Sequence, residues 1–167
     1  MHKHPAMNVL LPLALVSSLA LATSCVPDDG PEIPQADRCS QAGDDPVTLV
    51  EMGQGTLESL FEPWLEGQSV FVEYGPQGGA MIAFRMRAEG SDDTCLAFSM
   101  RVTNAGGTVI MDDSFALRLY RQDDDSLVSE TNFGIFNGEM DPRRGELLDF
   151  EVSLGGMSLT RTLEVAQ

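Results

Sequence analysis

The sequence predicts an all-β domain over residues 47–167, an antiparallel β-sandwich of roughly seven to nine strands. Three observations support this prediction: apolar residues recur at every second position in several runs, glycine- and aspartate-rich turns separate the runs, and helical patterns are scarce. A period of two places one face of a strand in a core and the other face in water. Short strands separated by such turns favour an antiparallel sandwich over a parallel sheet.

The clearest predicted strands lie within residues 82–88, 96–103, 115–120, 148–152 and 157–165. Arg161 interrupts the apolar side of the last run, so one unbroken strand is less certain there. Residues 56–65 are the best candidate for a turn of helix, although Pro63 interrupts it. Trp64 is expected in the core or at its edge.

The first segment, residues 1–24, is predicted to be a signal peptide. It contains the only lysine, both histidines and no acidic residue, and residues 9–22 are apolar except for two serines. A basic start before a short apolar stretch is typical of a secretory signal and is too short for a convincing membrane span. An uncleaved anchor helix or a buried core helix is the alternative that stays open.

The stretch Leu21-Ala22-Thr23-Ser24-Cys25 resembles the lipobox of bacterial lipoproteins, with alanine at the position where leucine is usual. The resemblance implies that Cys25 becomes a lipid-anchored N-terminus, and at least two acyl chains would hold it durably at a membrane. Val26 follows the cysteine instead of aspartate, which implies the outer membrane more than the inner one. A general signal peptidase could cut the same bond without any lipid.

The cysteine count agrees with a lipid at Cys25. The chain has three cysteines, Cys25, Cys39 and Cys95, and an odd number leaves one thiol over in an exported protein. If Cys25 carries lipid, Cys39 and Cys95 can form a disulfide in an oxidising compartment. Two unpaired cysteines are the alternative.

Residues 25–46 are predicted to be a flexible tether, because proline, aspartate and glycine dominate and apolar residues are few. After removal of the leader, nine of the ten basic residues and all 26 acidic residues remain, so the formal charge is −17. A chain this acidic is unsuited to nucleic acid or to electrostatic docking on an anionic bilayer.

The turn Gly75-Pro76-Gln77-Gly78-Gly79 before a predicted strand resembles a pattern of predicted lipoproteins from myxobacteria-like bacteria. That resemblance implies an immunoglobulin-like sandwich over the remaining domain and brings no activity with it. Ala80 and Met81 stand where those proteins often have a histidine, so no role for a histidine carries over.

The residues after the leader include neither histidine nor lysine. Catalysis by Ser-His-Asp or Cys-His groups, imidazole metal sites and Schiff-base chemistry therefore lack a required residue, and we expect no enzyme activity. Acidic turns could supply oxygen ligands to Ca²⁺, with Asp123 and Asp125 as the named candidates and Asp92-Asp93 and Asp112-Asp113 as further clusters. Solvated turns that keep the surface soluble are the simpler interpretation.

Two functions remain open. The first is an interaction or structural module that presents its loops to an envelope protein or glycan. The second is a calcium-dependent adhesive or carbohydrate-binding domain, in which exposed aromatic residues stack on sugars. The candidates for stacking are Phe71, Tyr120, Phe133 and Phe136, each of which core packing would also explain.

Overall fold

The structure, a computed structural model, describes residues 38–55, 60–137 and 141–166, which belong to one compact unit, Ile33–Gln167. The predicted signal peptide and Cys25 lie outside the described residues. The strands are β1 (Leu49–Gln54), β2 (Glu62–Pro63), β3 (Ser69–Phe71), β4 (Glu73–Tyr74), β5 (Ala80–Glu89), β6 (Cys95–Asn104), β7 (Val109–Arg121), β8 (Leu127–Ser129), β9 (Asn132–Ile135), β10 (Leu147–Leu154) and β11 (Met157–Ala166).

The strands form one mixed sheet with the order β2-β1-β5-β8-β7-β6-β10-β11-β3, and β4 and β9 also pair with β5. The predicted all-β class is confirmed. The predicted number of seven to nine strands is wrong, because the described residues form eleven strands. The additional strands include β2 and β4 with two residues each, which are too short to show a period of two. The prediction also missed a parallel pair, β3 with β11.

The sheet folds over on itself around a single core, which is consistent with a β-sandwich. Strands β5 and β6 are not neighbours in the sheet, yet Phe84 of β5 stacks on Phe98 of β6 with ring centroids 5.5 Å apart. Phe98 also packs against Phe115 of β7 at 4.9 Å. Buried apolar area and aromatic contacts of this kind are the main stabilising terms of the fold. An immunoglobulin-like connectivity stays a prediction.

The predicted alternation is confirmed in the long strands. In β6 the even-numbered residues 96–102 are buried, and in β10 the even-numbered residues 148–154 are buried. β11 is one unbroken strand, and Arg161 continues its pairing with β10 opposite Phe150. The Arg161 guanidinium Nη1 donates to the Thr160 carbonyl at 2.9 Å. The half-buried arginine therefore interrupts the apolar face without ending the strand.

The predicted helical turn at residues 56–65 does not form in its described part. Residues 56–59 lie outside the described residues, and Glu62–Pro63 are β2, where Pro63 pairs opposite Gly53 of β1. A Cβ on Gly53 would overlap the main chain at Glu62, so the glycine lets the two strands approach this closely.

Cys39 and Cys95 form the predicted disulfide, with Cα atoms 6.0 Å apart and a sequence separation of 56. The Cys39 N–H donates to the Ala116 carbonyl at 2.9 Å, and the Gly43 N–H donates to the Cys95 carbonyl at 2.7 Å. The Arg38 guanidinium lies 4.3 Å from the centre of the Phe115 ring. Residues 38–46, assigned to the tether from composition, therefore begin the packed part of the chain.

Candidate ligand-binding groove

One end of β5 carries an exposed apolar surface on its outer side. Strand β9 pairs with residues 81–84 of β5, so that Phe133 lies opposite Ala83 and Ile135 lies opposite Met81. Strand β4 pairs with the same end of β5, with Glu73 opposite Met81. Side chains from β4, β5 and β9 thus share one face, although β9 lies more than forty residues beyond the start of β5 in sequence.

Strand β9 reverses the usual distribution of residues between core and solvent. Asn132 and Gly134 are buried, whereas Phe133 is 42 % exposed and Ile135 is 63 % exposed. The Asn132 side chain is held inside by its Nδ2, which donates to the Glu130 carbonyl at 2.8 Å. A Cβ on Gly134 would overlap the side chains of Met100 and Met111, so the crowded core accepts glycine on this side of β9 and Phe133 faces outward.

A groove of about 440 Å³, the aromatic groove, lies beside this surface. Phe133 forms one side of it, and Phe71, which is 66 % exposed at the end of β3, also lines it. The complete lining consists of Gln54, Gly55, Glu62, Trp64, Phe71, Glu73, Ala83, Phe84, Thr131 and Phe133. Apolar walls with a few polar groups at the edge are typical of small-ligand sites.

Trp64 lines the groove and is anchored in the core. Its side chain is buried, its ring packs edge-to-face on Phe150 with centroids 6.4 Å apart, and its backbone N–H donates to the Met52 carbonyl at 2.8 Å. The expectation that Trp64 belongs to the core is confirmed. In the described part of the chain the indole Nε1 has no hydrogen-bond acceptor, which is uncommon for a buried donor.

The polar groups of the groove are amide, hydroxyl and carboxylate. The Gln54 side-chain Nε2 donates to Glu62 Oε2 at 3.2 Å, and the Thr131 hydroxyl donates to the Gly55 carbonyl at 3.2 Å. Glu73 adds a second carboxylate. No arginine is among the lining residues, so the groove carries net negative charge.

A second groove, of about 590 Å³, contains three arginines: Arg85, Arg87 and Arg121. The Arg87 guanidinium already contacts the carboxylates of Glu51 at 3.3 Å, Glu89 at 2.9 Å and Asp124 at 3.3 Å. These contacts connect β1, β5 and the turn between β7 and β8, so Arg87 has a structural role.

The side chains of the other two arginines of this groove also contact other groups of the domain. Arg121 contacts the Asp92 carboxylate at 3.4 Å and the Asp125 carbonyl at 3.4 Å. The buried Arg85 donates from Nε to the Ser129 carbonyl at 2.8 Å. Burial lowers the pKa of Arg85 from its ordinary value, and the negative charge of Glu130 opposes that shift. The arginine groove is therefore best explained as an internal network of ion pairs and hydrogen bonds.

The calcium candidates Asp123 and Asp125 lie in the turn beside those arginines. Asp125 has a φ of 64°, a left-handed conformation that aspartate tolerates in turns, and its N–H donates to the Gln122 carbonyl at 3.1 Å. Between them, the Asp124 carboxylate accepts from the Ser126 hydroxyl at 2.6 Å and the Ser126 N–H at 3.1 Å. These hydrogen bonds, with a smaller contribution from Arg87, lower the pKa of Asp124.

The other acidic clusters face separate partners. Asp112 pairs with Arg101 at 2.7 Å, Asp113 with Arg38 at 3.9 Å, and the Asp93 carboxylate accepts from the Asp45 N–H at 3.1 Å. Across the described ranges, no three or more His, Cys, Asp or Glu side chains are grouped so that they could hold a metal ion.

The four aromatic residues that were candidates for stacking on a sugar lie in three different parts of the domain. Phe71 and Phe133 line the aromatic groove, Tyr120 is exposed elsewhere in β7, and Phe136 is buried in the core. The sequence did not indicate the groove residues Gln54, Glu62 and Glu73, because nothing local distinguishes them from other surface residues. The signal that was present is the order Asn-Phe-Gly-Ile in β9, in which the apolar positions occupy the outward side.

No protein-family model matches the chain, and no curated protein matches it significantly. Within the described residues, no helix has the length and apolar character needed to cross a membrane.

Proposed function

We propose that the domain is a non-catalytic binding module of the cell envelope, and that the groove lined by Phe71 and Phe133 holds a sugar ring of an envelope glycan. The observation that carries the proposal is the exposure of these two phenylalanines on one groove, 66 % and 42 % respectively. Exposed aromatic rings grouped in a groove are unfavourable in water and favourable against the apolar face of a ligand.

The polar groups suit the hydroxyls of a sugar. Gln54, Glu62, Glu73 and Thr131 offer acceptors and donors around the aromatic walls. A protein partner would use the same surface differently, through a larger apolar contact, and the test below favours that class of partner if no oligosaccharide binds.

The absence of histidine and lysine after the leader supports binding over catalysis. The proposal does not involve calcium, because Asp123 and Asp125 lie in a turn contacted by Arg87 and Arg121, away from the aromatic groove. Positive charge beside a carboxylate disfavours a second cation.

The module would be held at the membrane by lipid on Cys25. Residues 25–37 of the predicted tether lie outside the described residues. Replacement by Cys25→Ser should abolish incorporation of a labelled fatty acid into the protein. An unchanged lipid signal would show that Cys25 is not the anchor.

Trp64 is the only tryptophan in the chain, so intrinsic fluorescence reports on the groove directly. We would titrate the mature chain carrying Cys25→Ser with short oligosaccharides of glucose, N-acetylglucosamine and glucosamine. At least one should change the fluorescence saturably, and Phe71→Ala should weaken that binding about tenfold, which corresponds to about 1.4 kcal/mol.

Tyr120→Ala is the matched control, since it removes an exposed aromatic ring outside the groove. It should bind as the parent chain does. If no oligosaccharide binds, or if both variants lose affinity equally, the glycan proposal is overturned.

A further inference from the structure

We infer that the groove selects a sugar that carries a free, protonated amino group. This inference rests on the proposed glycan-binding function and adds the charge of the ligand. Glu62 and Glu73 line a groove whose walls include Phe71 and Phe133. That combination of aromatic rings and carboxylates is suited to an organic ammonium group.

The first step of the argument is that these carboxylates have no cation of their own. Among the described residues, neither Glu62 nor Glu73 has an arginine within ion-pair distance, and Glu62 accepts only from the Gln54 amide at 3.2 Å.

The second step is that the ion pairs between described residues lie outside this groove. Arg87 contacts Glu51, Glu89 and Asp124, and further arginines contact Asp92, Asp112 and Asp113. Glu62 and Glu73 are among the acidic side chains that none of these arginines contacts. The formal charge of −17 after the leader adds a field that concentrates cations near the surface.

The third step is that a simple metal cation does not match the lining. Phe71, Phe133 and Ala83 present carbon where a hydrated ion needs oxygen ligands, and no group of three or more metal-binding side chains occurs among the described residues. An amino sugar fits both parts of the groove. Its ring contacts the phenylalanines, and its ammonium group lies near a carboxylate.

The test compares glucosamine oligosaccharides with N-acetylglucosamine oligosaccharides of the same length. The two differ in the charged amine, which acetylation removes. The experiment follows Trp64 fluorescence and calorimetric heat, at a pH where the sugar amines are protonated. The charged oligosaccharide should bind at least about tenfold more tightly, and added salt should reduce the difference.

Glu73→Gln and Glu62→Gln should each reduce the preference for the charged sugar, while the thermal midpoint stays close to that of the parent chain. Glu164→Gln is the matched control, because it removes the same charge from an exposed position of β11 outside the groove. It should keep the preference.

Equal or tighter binding of the acetylated sugar would overturn this inference and leave the glycan proposal standing. An equal loss of preference in Glu164→Gln would also overturn it, since the effect would then come from the net charge of the chain. Binding of neither oligosaccharide, together with no binding of the glucose series, would overturn both proposals.

Discussion

Ala83 of β5 pairs directly opposite Phe133 of β9, and its methyl group leaves the outer face of the sheet open beside the phenylalanine ring. Phe71 lines the same opening from the end of β3. The groove therefore exists because a small residue occupies the central strand between larger neighbours. This relationship provides a way to close the groove without disturbing the core.

Ala83→Leu should fill the groove and weaken oligosaccharide binding by more than about tenfold. Ala83 is half-buried on the outer side of β5, so the larger side chain can extend into the groove instead of the core. The thermal midpoint should stay within a few degrees of the parent value. Ala97→Leu is the control, because Ala97 is an exposed residue of β6 away from the groove. Undiminished binding by Ala83→Leu would place the ligand elsewhere.

Reduction of the Cys39–Cys95 disulfide should destabilise the domain. The bridge closes a loop with a sequence separation of 56, for which the chain-entropy treatment gives about 4 kcal/mol. We expect the thermal midpoint to fall by roughly 10–20 °C. Melting curves of the Cys25→Ser chain with and without reductant measure this, and the Cys25→Ser, Cys39→Ser, Cys95→Ser variant, which should not respond to reductant, is the control. A midpoint unaffected by reduction would contradict the prediction.

Asp124 should stabilise the fold at neutral pH and lose this effect in acid. Its pKa in the folded protein is lowered by the hydrogen bonds from Ser126 and then by Arg87, so the folded state releases its proton more readily than the unfolded chain does. The contribution is fully present above the unfolded pKa of about 4 and disappears as the pH falls through the lower folded value. Asp124→Asn should therefore be less stable than the parent chain at neutral pH, and the two should converge on acidification.

Denaturant unfolding of both proteins across that pH range gives the comparison. Asp123→Asn lies in the same turn and removes the same charge, so it controls for the change in net charge. A constant difference between Asp124→Asn and the parent chain at every pH would show that the carboxylate of Asp124 is not stabilised by its neighbours.

The long strands could be predicted because their two faces differ in polarity over many residues. The even-numbered residues of β6 from Leu96 to Val102 illustrate this, and each is buried. The short strands could not be predicted, because two or three residues are too few to show an alternation of apolar and polar side chains. Only Val72 separates β3 from β4, yet β3 pairs with β11 and β4 pairs with β5. This change of partner depends on the arrangement of the whole sheet.

The groove was only partly predictable for a related reason. Phe71 and Phe133 could be nominated as aromatic candidates, but Phe136 could not be separated from them until its position in the core was known. The carboxylates of Glu62 and Glu73 approach these rings only through strand pairing. The cysteine pair was easier, since only two cysteines remain once Cys25 is assigned to the lipid.

Calcium should leave the thermal midpoint unchanged, although Asp123 and Asp125 were the candidate ligands. The carboxylate between them, Asp124, is occupied by Ser126 and Arg87, and Arg121 donates to the Asp125 carbonyl at 3.4 Å. A Ca²⁺ ion needs six or more oxygen ligands and would have to displace these contacts against the guanidinium charges. Melting curves with excess calcium, with magnesium and with a chelator should therefore coincide. A specific site would instead raise the thermal midpoint as calcium, but not magnesium, is added. If Asp123→Asn abolished that rise, this turn would be the calcium site and the calcium-dependent function would be supported.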